Sequence, residues 1–150
     1  MPISIYEKAL EFKKNYPGTV AWRIKKHSEV VERYLNFDEK VLFVFVGQRN
    51  DDRFDFFDSC VIALTSRRII IGIKRVLFGY KVISITPDMF NDLTVTSRLF
   101  FGMIDIDTIK EEVFISKISK KALNKIESEI SGYMLREKRK YKERETTKDA

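Results

Sequence analysis

Few side chains in this sequence are of types that do chemistry, and their surroundings restrict each of them. The single histidine, His27, falls on the apolar stripe of a helical pattern, with no acid or nucleophile at a spacing that would pair with it. That position suits a packed or interfacial imidazole better than a general base. The single cysteine, Cys60, opens an apolar run and has Asp58 as its nearest charge. A reactive thiolate needs positive surroundings, so this thiol reads as structural. Asp51, Asp52, Asp55 and Asp58 supply carboxylates for calcium but lack the Asp-x-Asp-x-Asp-Gly frame and the distant glutamate of a calcium loop. Asp105 and Asp107 lie on one side of an alternating stretch and read as the wet face of a strand. There is no Gly-rich phosphate loop and no GxSxG elbow. No catalytic residue, cofactor or metal site is expected, and the chain reads as non-enzymatic.

Three segments suit contact rather than catalysis. Lys74, Arg75 and Lys81, with Arg67 and Arg68 nearby, surround an apolar turn containing Val76, Leu77 and Phe78. Cations around an apolar tip fit the interface of an anionic membrane. The same pattern arises where a hairpin tip packs on a neighbouring strand or subunit, which is the reading favoured here. The C-terminal run Arg136, Lys138, Arg139, Lys140, Lys142 and Arg144, against Glu137 and Glu143, offers charge to an anionic partner. It equally complements the dipole of a helix C-terminus and lacks the aromatic interleaving of a nucleic-acid binder, apart from Tyr141. Phe54, Phe56 and Phe57 interrupt the acidic loop and either tuck beneath it or form a partner-contact patch.

Period and punctuation give the elements that carry these residues. Ile5, Ala9, Phe12 and Tyr16 form a helical stripe that Pro17–Gly18 ends. A second helical pattern runs from about Thr19, taken as its N-cap, to Leu35, with Val20, Ile24, His27, Val31 and Leu35 on one face. From residue 41 the period becomes that of strands. VLFVFVG (41–47) is apolar on both faces, so a strand covered on both sides is expected, with the N-terminal helices as one cover. CVIALT (60–65) and RIIIGIK (68–74) flank a tight hairpin at Ser66–Arg67, and a weaker strand covers 80–85. Pro87 marks a turn, and strand patterns follow around Leu93–Val95, Ile104–Ile106 and Val113–Ile115. The chain closes with an amphipathic helix after Ser119, taken as its N-cap, carrying Ile118, Ala122, Leu123, Ile126, Ile130, Tyr133 and Met134.

Composition agrees with one folded unit. The 150 residues are 44% hydrophobic and 33% charged, which excludes wholesale disorder. One cysteine excludes an internal disulfide framework, and no apolar run reaches the roughly 18–20 residues that a spanning helix needs. Glu7 and Glu11 sit where a secretory peptide would be apolar, so a cytoplasmic chain is expected, peripheral to the inner face of the membrane in the lipid-binding reading. The net charge of +6 divides into +2 for residues 1–40 (8 basic, 6 acidic), zero for 41–118 (10 and 10) and +4 for 119–150 (10 and 6). The central segment is neutral, and the surplus sits mostly in the tail.

The order of elements, strands first and one closing helix, resembles the pleckstrin-homology (PH) fold. ALTSRRIII (63–71) is similar to the Leu-Thr-x-x-Arg-hydrophobic hairpin of bacterial PH-like domains, in particular the YokE-like group. YKVISITPDMFNDLTV (80–95), LFFGMIDIDT (99–108) and ISKISKKALNKIESEI (115–130) resemble the strand–turn–strand, the Gly-bearing hairpin and the closing helix that follow. The resemblance implies a seven-stranded, partly open barrel capped by the C-terminal helix, a mainly β (α+β) class. The chain then divides into a helical extension (1–37), the PH-like unit (38–134) and a basic helical or disordered tail (135–150). It also implies a binding or assembly role, with a protein partner or self-association expected and an anionic membrane as the alternative. The four aspartates of residues 51–58 would repel inositol phosphates at the loop that binds them in eukaryotic PH domains.

Overall fold

The structure is a computed structural model that describes residues 4–49 and 59–148. Helix α1 (Ile5–Asn15) starts at Ser4, whose hydroxyl accepts the Glu7 N–H, and it buries Ile5, Ala9 and Phe12. Helix α2 (Ile24–Tyr34) begins four residues later than the apolar stripe suggested. Thr19 does not cap it. Its buried hydroxyl instead accepts the Ser119 N–H at 2.9 Å, and Arg23, in the left-handed region at φ 54°, stands before the helix without a side-chain cap. A long-range hydrogen bond has outcompeted local capping.

Seven antiparallel strands follow: β1 (Val41–Arg49), β2 (Ser59–Thr65), β3 (Ile69–Lys74), β4 (Tyr80–Ile85), β5 (Phe90–Ser97), β6 (Gly102–Thr108) and β7 (Glu112–Ile118). Their order is β4-β3-β2-β1-β7-β6-β5. The expected seven-strand open architecture with a closing helix is present. Among the described residues, the halves β4–β1 and β7–β5 pair in the ladder where Gln48 faces Ser116 and Arg49 faces Ile115. After Ser119, which makes no side-chain cap, one 3-10 turn (Lys120–Ala122) leads into α3 (Leu123–Lys148). Residues Arg136–Arg144 are therefore helical.

Each apolar period matches its cover. Phe12 of α1 lies 6.2 Å from the Phe43 ring and 6.1 Å from that of Phe45, while Val44 and Val46 point to the other face and are also buried. Helix α1 packs on β1, and α2 packs on β2 and β3. Helix α2 approaches β3 closely at Gly72, where a Cβ would stand 2.6 Å from Val31 Cγ2 and 2.9 Å from the His27 carbonyl oxygen. Helix α3 lies on β5 and β6, and buries Leu123, Ile126, Ile130, Tyr133 and Met134.

One polar cluster is enclosed in this packing. Glu39, just before β1, is buried and accepts from Arg68 Nε at 3.0 Å, Arg68 Nη2 at 3.1 Å, the Asn36 N–H at 3.1 Å and the Thr65 hydroxyl. Arg68 also donates to Ser84 Oγ at 3.2 Å and to the Tyr34 carbonyl. Thr65 and Arg68 are the threonine and arginine of the hairpin signature. Burial disfavours the Glu39 charge, but the Arg68, Thr65 and Asn36 hydrogen bonds outweigh it and hold its pKa below the ordinary value.

Three measurements test this packing. Gly72→Ala forces α2 away from β3 and should cost ~1–3 kcal/mol in denaturant unfolding; an unchanged midpoint would refute the close approach. Arg68→Ala strands a buried carboxylate and should cost ~3–5 kcal/mol, whereas the double change Glu39→Gln with Arg68→Met should recover most of that loss. Burial, together with the nearby Arg23 charge, pushes His27 down from 6.5 to about 4. Between those values the unfolded chain binds a proton that the folded chain refuses, so this contribution is complete above pH 6.5 and declines as the pH falls towards 4. Wild type should lose ~1–2 kcal/mol more than His27→Gln between pH 7 and pH 5; equal losses would contradict a neutral buried imidazole.

Candidate docking surface at the β3–β4 turn

The segment joining α1 to α2 runs across the ends of four strands. The Val20 N–H donates to the Lys117 carbonyl of β7 at 2.9 Å, and the Val20 carbonyl accepts from Gln48 Nε2 of β1 at 3.0 Å. The Trp22 N–H donates to Ser59 Oγ of β2 at 2.8 Å, and Arg23 Nη1 donates to the Lys74 carbonyl of β3 at 3.0 Å. The Lys74 N–H is taken by His27 Nδ1 at 2.8 Å. His27 is thus a buried acceptor, as a packed imidazole requires. Lys74 ends β3 with both backbone groups held by the N-terminal segment.

From that fixed base the turn 75–79 projects. The Arg75 N–H donates to the Gly79 carbonyl at 3.1 Å, and Gly79 has φ 73°, a left-handed conformation that disfavours other residues. Val76, Leu77 and Phe78 are 63%, 83% and 85% exposed. The tip therefore does not pack on a strand of its own chain. Tyr80, which pairs with Lys74 across the hairpin, bonds the Tyr34 hydroxyl at 2.7 Å and carries the Arg33 guanidinium 5.7 Å above its ring. Arg75 is exposed, while Lys74 and Lys81 are half-buried. Lys81 pairs with Ile73 rather than with Lys74, so Lys74 and Lys81 leave opposite faces of the hairpin. Trp22 and Arg23, both exposed, join this end. Sequence reading missed them because the strap that carries them is irregular and meets β3 some fifty residues later.

The other candidate residues lie elsewhere. In α3, Lys138 Nζ donates to the Phe90 carbonyl at 2.9 Å and sits 5.4 Å over the Phe90 ring, so this cation fastens the helix to β5. Lys140 pairs with Glu137 at 3.3 Å, and Arg136, Arg139, Lys142 and Arg144 are exposed. Phe54, Phe56 and Phe57 fall outside the described residues. Cys60 is buried, its Sγ 3.7 Å from the Gly47 carbonyl. Asp105 is half-buried rather than fully wet; burial, then the neighbouring Asp107 and Asp92 charges, raise its pKa despite a hydrogen bond with Glu112. Among the described residues no group of three His, Cys, Asp or Glu side chains is placed to hold a metal ion, and no helix is long and apolar enough to cross a membrane.

No curated protein matches the sequence. A solved pleckstrin homology domain from Shewanella amazonensis SB2B is similar at 14% identity, covering 77% of this chain and 90% of that one with a TM-score of 0.42. The family model for the bacterial PH domain matches residues 35–131, well over half of the chain and the span from the end of α2 into α3. The hairpin at 63–71, the open order of seven strands and the first turns of the closing helix lie within that match, and the chain belongs to the bacterial PH domain family.

Proposed function

We propose that this chain is a non-catalytic binding module that docks on a protein partner, a second copy included, through the β3–β4 turn. The observation that carries this reading is the exposure of Val76, Leu77 and Phe78 on a turn whose base is fixed by His27 and Arg23. A rigid apolar anchor loses little conformational freedom on binding, and aromatic anchors at the centre of a contact carry much of its energy. Trp22 extends the apolar contact at the same end.

The rival is an anionic membrane, approached by the same turn and the basic tail; Arg75 beside the tip favours it. Two features weigh against it. The sequence that joins β1 to β2 carries Asp51, Asp52, Asp55 and Asp58, and the central segment 41–118 has no net positive charge. In the tail, Lys138 is already held by Phe90 and Lys140 by Glu137. The tail also offers no base-stacking platform, so nucleic acid is the weakest partner class. In this reading residues 1–37 serve as the clamp of the β-rich unit 38–134, and residues 135–150 prolong its closing helix.

A photo-crosslinking residue at position 77, with the full chain expressed in its native host, tests the proposal. One discrete protein adduct is expected, lost in Phe78→Asp. An adduct at twice the chain mass, matched by a dimer in light scattering, identifies the partner as a second copy. Absence of any protein adduct, with the variant folded by circular dichroism, sinks the reading.

A further inference from the structure

The sheet has two terminal strands, and they differ in protection. At one end the β5 ladder is broken by a bulge between Phe90 and Asp92. The Phe90 carbonyl is taken by Lys138 Nζ, and the Leu93 N–H by the Asp92 carboxylate at 2.8 Å. Bulges, charges and covering helices are the ways in which edges avoid further pairing. Strand β4 closes the other end without them. Its register with β3 runs unbroken from Lys74–Tyr80 to Ile69–Ile85, and it contains no proline. Hydrogen-bonded pairs alternate along an antiparallel ladder. The Arg75 N–H donates to the Gly79 carbonyl, so Ile73–Lys81, Ile71–Ile83 and Ile69–Ile85 are the bonded pairs that follow. The backbone of Lys74 agrees, since both its groups turn away from β4 to His27 and Arg23. Tyr80, Val82 and Ser84 therefore present three N–H groups and three carbonyls to the free edge. Among the described residues none of these groups has a partner.

The strand is complementary to itself. Tyr80 and Ser84 lie on the face that carries α2, where they meet Tyr34 and Arg68, and Val82 shares that face; Ile83 and Ile85 are buried on the other. The three outward residues are spaced evenly about Val82. Two antiparallel copies of β4 can thus meet with Val82 opposite Val82 and Tyr80 opposite Ser84. Every outward backbone group is then paired, and Lys81 stands opposite Ile83 rather than its own charge. Pairing Tyr80 with Val82 instead leaves Ser84 unmatched and sets Lys81 against Lys81, and pairing Val82 with Ser84 leaves Tyr80 unmatched. The symmetric register also carries each exposed Val76–Phe78 tip towards the half-buried Thr86 and Pro87 of the other copy.

We infer that β4 is a self-pairing edge, at which two copies of this chain join antiparallel about Val82 and merge their two sheets into one. The inference rests on the protein-docking reading of the β3–β4 end and names its partner, a second copy. Free backbone groups on an unbroken, uncharged edge are a template for another strand. A two-fold contact uses the same edge on both copies, so the assembly closes at a dimer and does not grow. Backbone pairing fixes the register, and the apolar tips add contact at both flanks.

Sedimentation equilibrium of the full chain tests it, and a reversible dimer is expected. Val82→Pro removes an outward N–H and leaves the β3–β4 ladder intact, so the chain should fold by circular dichroism yet dimerise at least about tenfold more weakly. Val82→Lys and Val82→Glu each set like charges opposite one another and should weaken the dimer alone, whereas their equimolar mixture should restore it as a heterodimer. A dimer that survives Val82→Pro overturns the inference, and so does a mixture that associates no better than either variant alone. A wild-type chain that stays monomeric at its highest soluble concentration overturns it as well. If position 77 then still crosslinks to a different protein, the docking turn stands and only the β4 pairing falls. If the dimer is lost in Val82→Pro while position 77 crosslinks nothing, the pairing stands and the turn loses its role.

Discussion

The Glu39 carboxylate is the group around which the first half of this fold is organised. It is buried, and an ionised carboxylate is tolerated there only when its oxygens are occupied. Arg68, Thr65 and the Asn36 N–H occupy them, and each partner brings an element with it. Thr65 and Arg68 fix the β2–β3 turn, Asn36 fixes the path from α2 into β1, and the remaining Arg68 donors reach the end of α2 and Ser84 of β4. A planar guanidinium with a fixed fork of donors can satisfy all of these at once; a lysine cannot. The Leu-Thr-x-x-Arg hairpin that carries the family resemblance is the recognition half of this cluster.

A second constraint joins the two halves of the sheet. Among the described residues strands β1 and β7 share two residue pairs, so their junction needs support from outside the ladder. The strap between α1 and α2 provides it through Thr19 at Ser119, Val20 at Lys117 and Gln48, Trp22 at Ser59 and Arg23 at Lys74. The N-terminal helices are therefore bound into the fold by polar contacts at the strand ends as well as by apolar packing on β1–β3. The same strap, with His27, sets the base of the β3–β4 turn. Stability and the presentation of the docking tip rest on the same hydrogen bonds.

The functional readings follow from where apolar surface is left uncovered. The core is closed by α1 and α2 on one half of the sheet and by α3 on the other. Against that background two turns each hold consecutive large apolar residues in water, at Val76–Phe78 and at Leu99–Phe100. Isolated exposed apolar residues need no explanation, but a projecting cluster on a fixed base does. The exposed charges beside both turns are basic: Arg75 at the first, and Arg98, Lys117, Lys120 and Lys121 near the second. A family known for its binding fold leaves the ligand to such local surfaces.

Much of this architecture was legible in the residues alone. The 3.6-residue stripes of α1 and α3, the doubly apolar β1 and the hairpin at Ser66–Arg67 are local signals that neighbours a few positions apart determine. The Val76–Phe78 tip was also visible as an apolar run among cations, although its exposure was not. What the sequence left open depends on pairing over long separations. Thr19 looked like a helix cap until Ser119, 100 residues away, claimed its hydroxyl. Lys138 looked like tail charge until α3 set it over Phe90. The cations around Leu99 and Phe100 come from β7 and the turn beyond it, and only strand register brings them to that tip. Periodicity reports which face of an element is apolar, whereas the meeting of distant residues is decided by register and packing, and these exist only once the chain has folded.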